Sequence, residues 1–406
     1  MTDDIQPFQI SVPDAAIKQL KDKLGSATFA DRVDFSNDWN YGSPLSDVER
    51  LTGRWKDGYD WRKQEAMLNK LPQFTTPIEV DGFGKLTIHF LHQKSSRVDS
   101  IPLLFVHGWP GSFLEAIKLL PLLDAPEGKP SFHIVAPSLP NFGFSDAVQK
   151  PGFSAAQYAE TVHKLMIKLG YNEYVTQGGD WGFLITRLVG AKYPQHCLAS
   201  HVNFVRIHAA PTFLQSPMLY LRNALTAYSA SERAGLARSA WFVDEGVGYN
   251  VEQSTKPSTL GFALADSPVA LLAWIYEKLH DWTDEYPWED DEILTWVSIY
   301  QFSKGGPAAS VRIYYEVKHA PADEYSQGLQ YVPHVQLGIS IFPKDVRVPP
   351  IRWVRGLGPV VFEAVHKRGG HFAAHELPSQ LVQDLQAMFG PGGGAYRVGK
   401  KFDPSL

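Results

Sequence analysis

From Leu86 onward, apolar runs of strand length alternate with amphipathic stretches of helix length. "LTIHFLHQ" and "IPLLFVHG" read as strands, "FLEAIKLLPLL" as a helix, "FHIVAPS" as a strand and "SAAQYAETVHKLMIKLG" as a helix. "YVTQGG", "FLITRLVGAKY" and "ASHVNFV" continue the alternation. Strands separated by helices do not pair as hairpins, so the pattern predicts a mostly parallel sheet with helices on both faces.

The alternation is absent from two stretches. Residues 1 to 85 are rich in Trp, Asp, Lys and Pro, with short helical stretches, and read as an N-terminal segment that wraps a larger body. After residue 205 the chain becomes helical and aromatic-rich, as in "MLYLRNALTAY" and "PVALLAWIYEKLHDW". Strand signals return at "HVQLGISIFP" and "PVVFEAVH", followed by the closing helix "SQLVQDLQAMF". The simplest organisation is an α/β core in two parts, 86–205 and 326–406, with a helical cap inserted over 206–325. The glycine-rich "GPGGG" near the end reads as a tail loop.

Composition narrows the function. A net charge of −5 with no basic run argues against nucleic acid as a partner. The single cysteine, Cys197, excludes an internal disulfide framework, and no Asn-x-Ser/Thr acceptor occurs. The opening "MTDDIQPFQI" lacks the charged-then-apolar pattern of a signal peptide, and no apolar run approaches the roughly 18 residues of a membrane span. The expectation is a cytoplasmic protein without a membrane anchor.

The chemistry centres on "VTQGGDWGFLI". Gly178-x-Asp180-x-Gly182 follows a strand and precedes a helix, the context of the G-x-S-x-G nucleophile elbow, with aspartate in the place of serine. The bland alternative is that Asp180 merely caps the helix starting at Trp181. Three further elements in the expected order weigh against it. His107-Gly108-Trp109-Pro110 follows an earlier strand, where backbone amides build an oxyanion hole; Pro110 cannot donate, which leaves the amides of Trp109 and Trp181. Asp345 comes just after a late strand in "SIFPKDVRVPP", and His371 follows the last strand in "VHKRGGHFAAHE". The chain order of nucleophile, acid and histidine is that of α/β hydrolases.

An ionised carboxylate needs no base to become a nucleophile. It can attack an electrophilic sp3 carbon and form an alkyl ester, leaving His371, oriented by Asp345, to activate water against that ester. Halide and epoxide oxygen are the two plausible leaving groups. An epoxide oxygen needs a proton donor, and the cap supplies tyrosines at 249, 314 and 315.

"RWKDGYDWRKQEAMLNKLPQF", "HGWPGS", "GGDWG", "YNVEQSTKPSTLGFALADSPVALLAWIYEK", "SVRIYYE", "FPKD" and "GGHFAAHE" together resemble epoxide hydrolases of the microsomal type in their soluble, fungal-like form. The resemblance covers almost the whole chain. It implies an α/β-hydrolase core with a mostly parallel eight-stranded sheet, Asp180 as nucleophile, His371 as base and Asp345 as its acid partner. It further implies Tyr249 and Tyr314 as proton donors to the oxirane oxygen, because family members place the second tyrosine two residues before a glutamate, here Glu316. Tyr315 stands as the alternative. The implied substrate is a small apolar epoxide, with no cofactor, and a homodimer is compatible with the resemblance.

Rival readings have separate signatures. A haloalkane dehalogenase would use the same nucleophile and hold halide with indole N–H groups such as that of Trp181. A non-catalytic binding protein could keep the fold without turnover. The pair His371 and His375 beside Glu376 superficially suggests a metal face, but the H-E-x-x-H order is absent, so no metal is expected. His196, Cys197 and His201 are assigned to packing, and the imperfect elbow Gly143-x-Ser145-x-Ala147 to the pocket mouth.

Overall fold

The structure, a computed structural model, describes residues 4–126, 128–207, 209–214 and 216–403. Its strands are β1 (Gln6–Pro7), β2 (Gln73–Val80), β3 (Gly84–Gln93), β4 (Ile101–Val106), β5 (Phe132–Pro137), β6 (Tyr174–Gly178), β7 (Cys197–Val202), β8 (Gln336–Ile341) and β9 (Val360–Val365). They form one sheet in the order β1-β2-β3-β5-β4-β6-β7-β8-β9. The six strands β4 to β9 are parallel, while β1, β2 and β3 add an antiparallel edge. The expectation of eight strands is therefore corrected to nine among the described residues. The additional strand, β1, is two residues long and pairs only with Phe74 and Thr75 of β2.

Two expected boundaries also move. The one at 85 falls inside β3, and β2 precedes it, so the first segment contributes to the sheet itself. "QFTTPIEV" escapes a pattern search because it is polar and carries Pro77, a residue tolerated at sheet edges but poorly in a central strand. The boundary at 325 cuts the helix Ala322–Leu329. That helix packs on the core helix Trp181–Lys192, whose buried Arg187 donates to the carbonyls of Gly328, Gln330 and Leu357 at 3.2, 2.7 and 2.5 Å.

The central strands β4 and β6 are buried along their whole length, as expected when helices cover both faces of a parallel sheet. Val106, Gly178 and Val202 are aligned at the carboxyl ends of β4, β6 and β7, and Ile341 with Val365 at those of β8 and β9. The loops leaving β4, β6, β8 and β9 therefore open on one edge, where open α/β sheets bind ligands. The insertion between β7 and β8 is helical and folds back over this edge. The N-terminal segment grips the insertion from outside. Trp39 stacks on His280 at 3.5 Å, Tyr59 shares a hydrogen bond with Thr295, and Tyr276 donates to Asp47.

Among the described residues no single helix is long and apolar enough to cross a membrane. One pair of helices, Pro257–Asp266 and Pro268–Asp281, passes only when joined, across a bend of 114°.

Candidate active site

The turn after β6 carries Asp180 at φ 50° and ψ −123°, a conformation that costs a residue with a β-carbon about 1–3 kcal/mol and persists only where its surroundings enforce it. Close packing enforces it here. A β-carbon on Gly182 would lie 1.9 Å from the carbonyl oxygen of Val106, and one on Gly108 would lie 2.3 Å from the Asp180 side chain. Helix Trp181–Lys192 starts directly after the turn, yet the Asp180 side chain makes no capping bond to it. Its Oδ1 instead accepts from the Trp109 amide at 2.8 Å. The cap role for this aspartate is thereby replaced by one facing the loop after β4. The Trp181 amide is the first of the same helix, adjacent to the carboxylate in the chain.

Oδ2 of Asp180 lies 3.4 Å from Nε2 of His371, and Nδ1 of His371 lies 2.6 Å from Oδ1 of Asp345. Both His371 and Asp345 are buried. Burial by itself would lower the histidine pKa, but the flanking carboxylates Asp345 and Asp180 outweigh it and hold the pKa at about 10. The imidazole is thus protonated at neutral pH. The loop that presents it is fastened to the cap: His371 N donates to Trp282 O at 2.7 Å, Gly369 N to Asp284 at 2.8 Å, and Glu376 accepts from the amides of Gly370 and Asp284 at 3.1 and 2.9 Å.

Two cap helices, Gly248–Thr255 and Arg312–His319, bring Tyr249 and Tyr314 edge-on to each other at 5.8 Å. Both are buried, and both meet the Trp109 ring, stacked at 5.2 Å for Tyr249 and edge-on at 5.7 Å for Tyr314. Burial foremost, with the negative charge of Asp180 adding to it, raises both phenol pKa values, so both hydroxyls keep their protons. Among the described residues the Tyr314 hydroxyl and the Trp181 indole N–H are buried without a well-formed hydrogen bond, and they lie close enough to interact weakly with each other. Tyr315 points elsewhere, being 37% exposed and stacked on His319 at 4.0 Å.

Asp180, Tyr249 and Tyr314 border a cavity of about 70 Å³ whose other walls include Phe204, Phe242 and Val247. A second cavity of about 410 Å³ shares Trp181, Arg206, Asn250 and Tyr314 with it as walls. A larger cavity, about 700 Å³, lies behind His375 and is bordered by none of the groups around Asp180 named above. His375 faces that side, with Nε2 2.7 Å from Glu292 and its ring stacked on Trp288, so it does not join His371. Ser145 is buried between Ser138 and the His89 amide and borders neither cavity at Asp180, which corrects the expectation that it shapes the mouth.

The structure thus brings Asp180, His371, Asp345, Tyr249, Tyr314, Trp109 and Trp181 around one site. Two further carboxyls lie beside it: Glu115, which sequence reasoning missed, and Glu376, which it weighed only as part of a metal face. Glu115 has its pKa raised to about 8, chiefly by burial, and Glu376 to about 7 for the same reason. The available signal for Glu115 was the glycine of "HGWPGS", since a β-carbon on Gly111 would lie 1.7 Å from its Oε1.

Residues 5–116 match the family described as "Epoxide hydrolase N terminus", and residues 101–203 match "alpha/beta hydrolase fold". The chain is 34% identical to "Epoxide hydrolase 1" of Sus scrofa, over 95% of this chain and 88% of that one. It is similar to the structure of Aspergillus niger epoxide hydrolase, with TM-score 0.82, 36% identity, and coverage of 94% of this chain and 95% of that one. The juvenile hormone epoxide hydrolase of Bombyx mori superposes with TM-score 0.84 at 30% identity, covering 94% and 93% of the two chains.

Proposed function

The chain belongs to the epoxide hydrolase family of the α/β-hydrolase fold, and on that premise we propose that it adds water to epoxides through a covalent ester on Asp180. A carboxylate oxygen of Asp180 attacks an oxirane carbon, the ring C–O bond breaks, and the released oxygen takes a proton from Tyr249 or Tyr314. With Asp180 esterified, His371 passes its proton to that phenolate and then takes one from water, whose oxygen attacks the ester carbonyl. The amides of Trp109 and Trp181 stabilise the resulting oxyanion, and the diol leaves as Asp180 is regenerated. His371 keeps the proton taken from water beside the regenerated Asp180 carboxylate, which closes the cycle.

The observation that carries this reading is the location of the Asp180 carboxylate, 3.4 Å from an imidazole on one side and in a cavity bordered by two protonated phenols. The electrostatics supply an order of events. While Asp180 is anionic, His371 is held protonated near a pKa of about 10 and cannot act as a base. Esterification removes one of the two carboxylates responsible, so the histidine pKa falls only once there is an ester to hydrolyse.

The test is His371→Gln, which leaves alkylation possible and stalls hydrolysis. Intact-protein mass spectrometry after incubation with an epoxide should show an adduct of the substrate's mass on Asp180. Absence of the adduct, with the variant folded, would falsify the covalent route.

A further inference from the structure

Arg206 and Arg347 are the two cationic residues that border the cavity at Asp180. Among the described residues neither guanidinium forms an ion pair. Arg206 lies 5.5 Å from the rings of Trp181 and Tyr325, and Arg347 lies 5.7 Å from that of Phe242. Arginines elsewhere in the chain use their donors: Arg187 on three carbonyls, Arg355 on both oxygens of Glu363, Arg54 on Asp291. Lys318 adds a third cation to the adjoining larger cavity, which among the described residues has no acidic residue in its walls, and among them the smaller cavity has only the nucleophile.

Lining one cavity with two guanidiniums in partial burial is unfavourable, and Arg347 accordingly has its pKa lowered, by burial first and then by the charge of Arg206. Aromatic faces offset part of that cost but leave the planar N–H forks open. Such a fork matches a carboxylate with two parallel hydrogen bonds. Asp180 would otherwise repel an anionic substrate, and two cations at its side cancel that repulsion.

We infer that the epoxides this site takes carry a carboxylate, bound by Arg206 and Arg347 while the oxirane lies against Asp180. Trp181, which Arg206 overlies, directly follows the nucleophile, so the spacer between oxirane and carboxylate is short, about the span of one aromatic ring. The inference rests on the proposed reaction, and it amends the purely apolar substrate expected from sequence to an apolar body with one anionic end.

The probes are 4-(oxiran-2-yl)benzoate and 4-(oxiran-2-yl)benzamide, which differ in charge and little in shape. Wild type should show kcat/KM about tenfold or more higher for the acid than for the amide, a ratio that shrinks with added salt. Arg206→Gln combined with Arg347→Gln should bring the ratio to one or below, and Arg206→Lys should keep part of it. A wild-type ratio at or below one, or a ratio that the double variant leaves unchanged, overturns the inference. If neither epoxide is turned over, the reaction is wrong, but the anion site is still judged by binding of the two corresponding diols, followed by quenching of tryptophan fluorescence. Tighter binding of the carboxylate diol, lost in the double variant, upholds the site, and equal binding of the two diols refutes it.

Discussion

Replacing Tyr314 with Phe separates a catalytic hydroxyl from a packed aromatic, because the two roles predict opposite effects on stability. The hydroxyl is buried with no well-formed hydrogen bond, only weak contacts with the Trp181 indole and the Tyr249 hydroxyl, so the folded state loses little when it is removed. A polar group buried without a partner costs about 1–3 kcal/mol, so Tyr314→Phe should be neutral or more stable by about 1 kcal/mol. With an unfolding entropy of about 2 cal/mol/K per residue, 1 kcal/mol in a chain of 406 residues moves the melting temperature by only about 1 °C, which makes urea titration the better assay. The catalytic effect is larger. A hydrogen bond to a charged oxygen contributes about 1.5–3 kcal/mol, so its loss should slow ester formation by roughly 10- to 150-fold. Single-turnover stopped-flow fluorescence should resolve this step, because Trp109, Trp181 and Trp282 lie against the tyrosines or the histidine. Tyr315→Phe should change the same rate by less than about twofold, since that ring is 37% exposed and stacked on His319. The assignment fails if Tyr315→Phe is the more damaging change, or if Tyr314→Phe slows ester formation no more than it destabilises the fold.

Gly182→Ala directs a methyl group at the Val106 carbonyl 1.9 Å away, in a central strand that cannot shift, and should destabilise by about 3 kcal/mol or more; a variant with the wild-type urea midpoint would contradict the packing argument. Arg187→Met removes the donors of three buried carbonyl contacts and should cost about 3 kcal/mol or more by the same titration. The pH dependence has a definite sign. Because the folded pKa of His371 is raised from 6.5 to about 10, its contribution to stability is complete below the unfolded pKa and disappears as pH rises through about 10, and His371→Gln should lack that fall. Ester hydrolysis, followed by single turnover, should accelerate with pH and level off at an apparent pKa below 10, because esterified Asp180 no longer supports the protonated imidazole; a rate independent of pH would refute the proposed order.

The parts of this site set by short-range backbone constraints were legible from the chain alone. A strand, two glycines flanking an aspartate, and a helix can make few shapes, and Asp345 and His371 follow late strands whose parallel pairing forces their loops to one edge. Tyr314 was legible only through the resemblance, because nothing in "RIYYE" says which ring turns inward until the helix is docked. Arg206 and Arg347 were not legible at all. They lie far apart in sequence, and their lack of a carboxylate partner is a property of the assembled cavity. β2 was missed for a different reason: its polarity suits an edge position, and edge strands do not carry the apolar alternation that identifies interior ones.

The hydrogen bonds from the histidine loop to Trp282 and Asp284 mean that the base is carried jointly by two parts of the chain. A lid lifting at that seam would drag the imidazole off its carboxylates, whereas the cavity bordered by Arg206 and Tyr325 adjoins that of the nucleophile without involving the seam residues. Chimaeras that graft a foreign lid onto this open sheet should therefore keep residues 282–284 of this chain, or its own base will be left out of alignment.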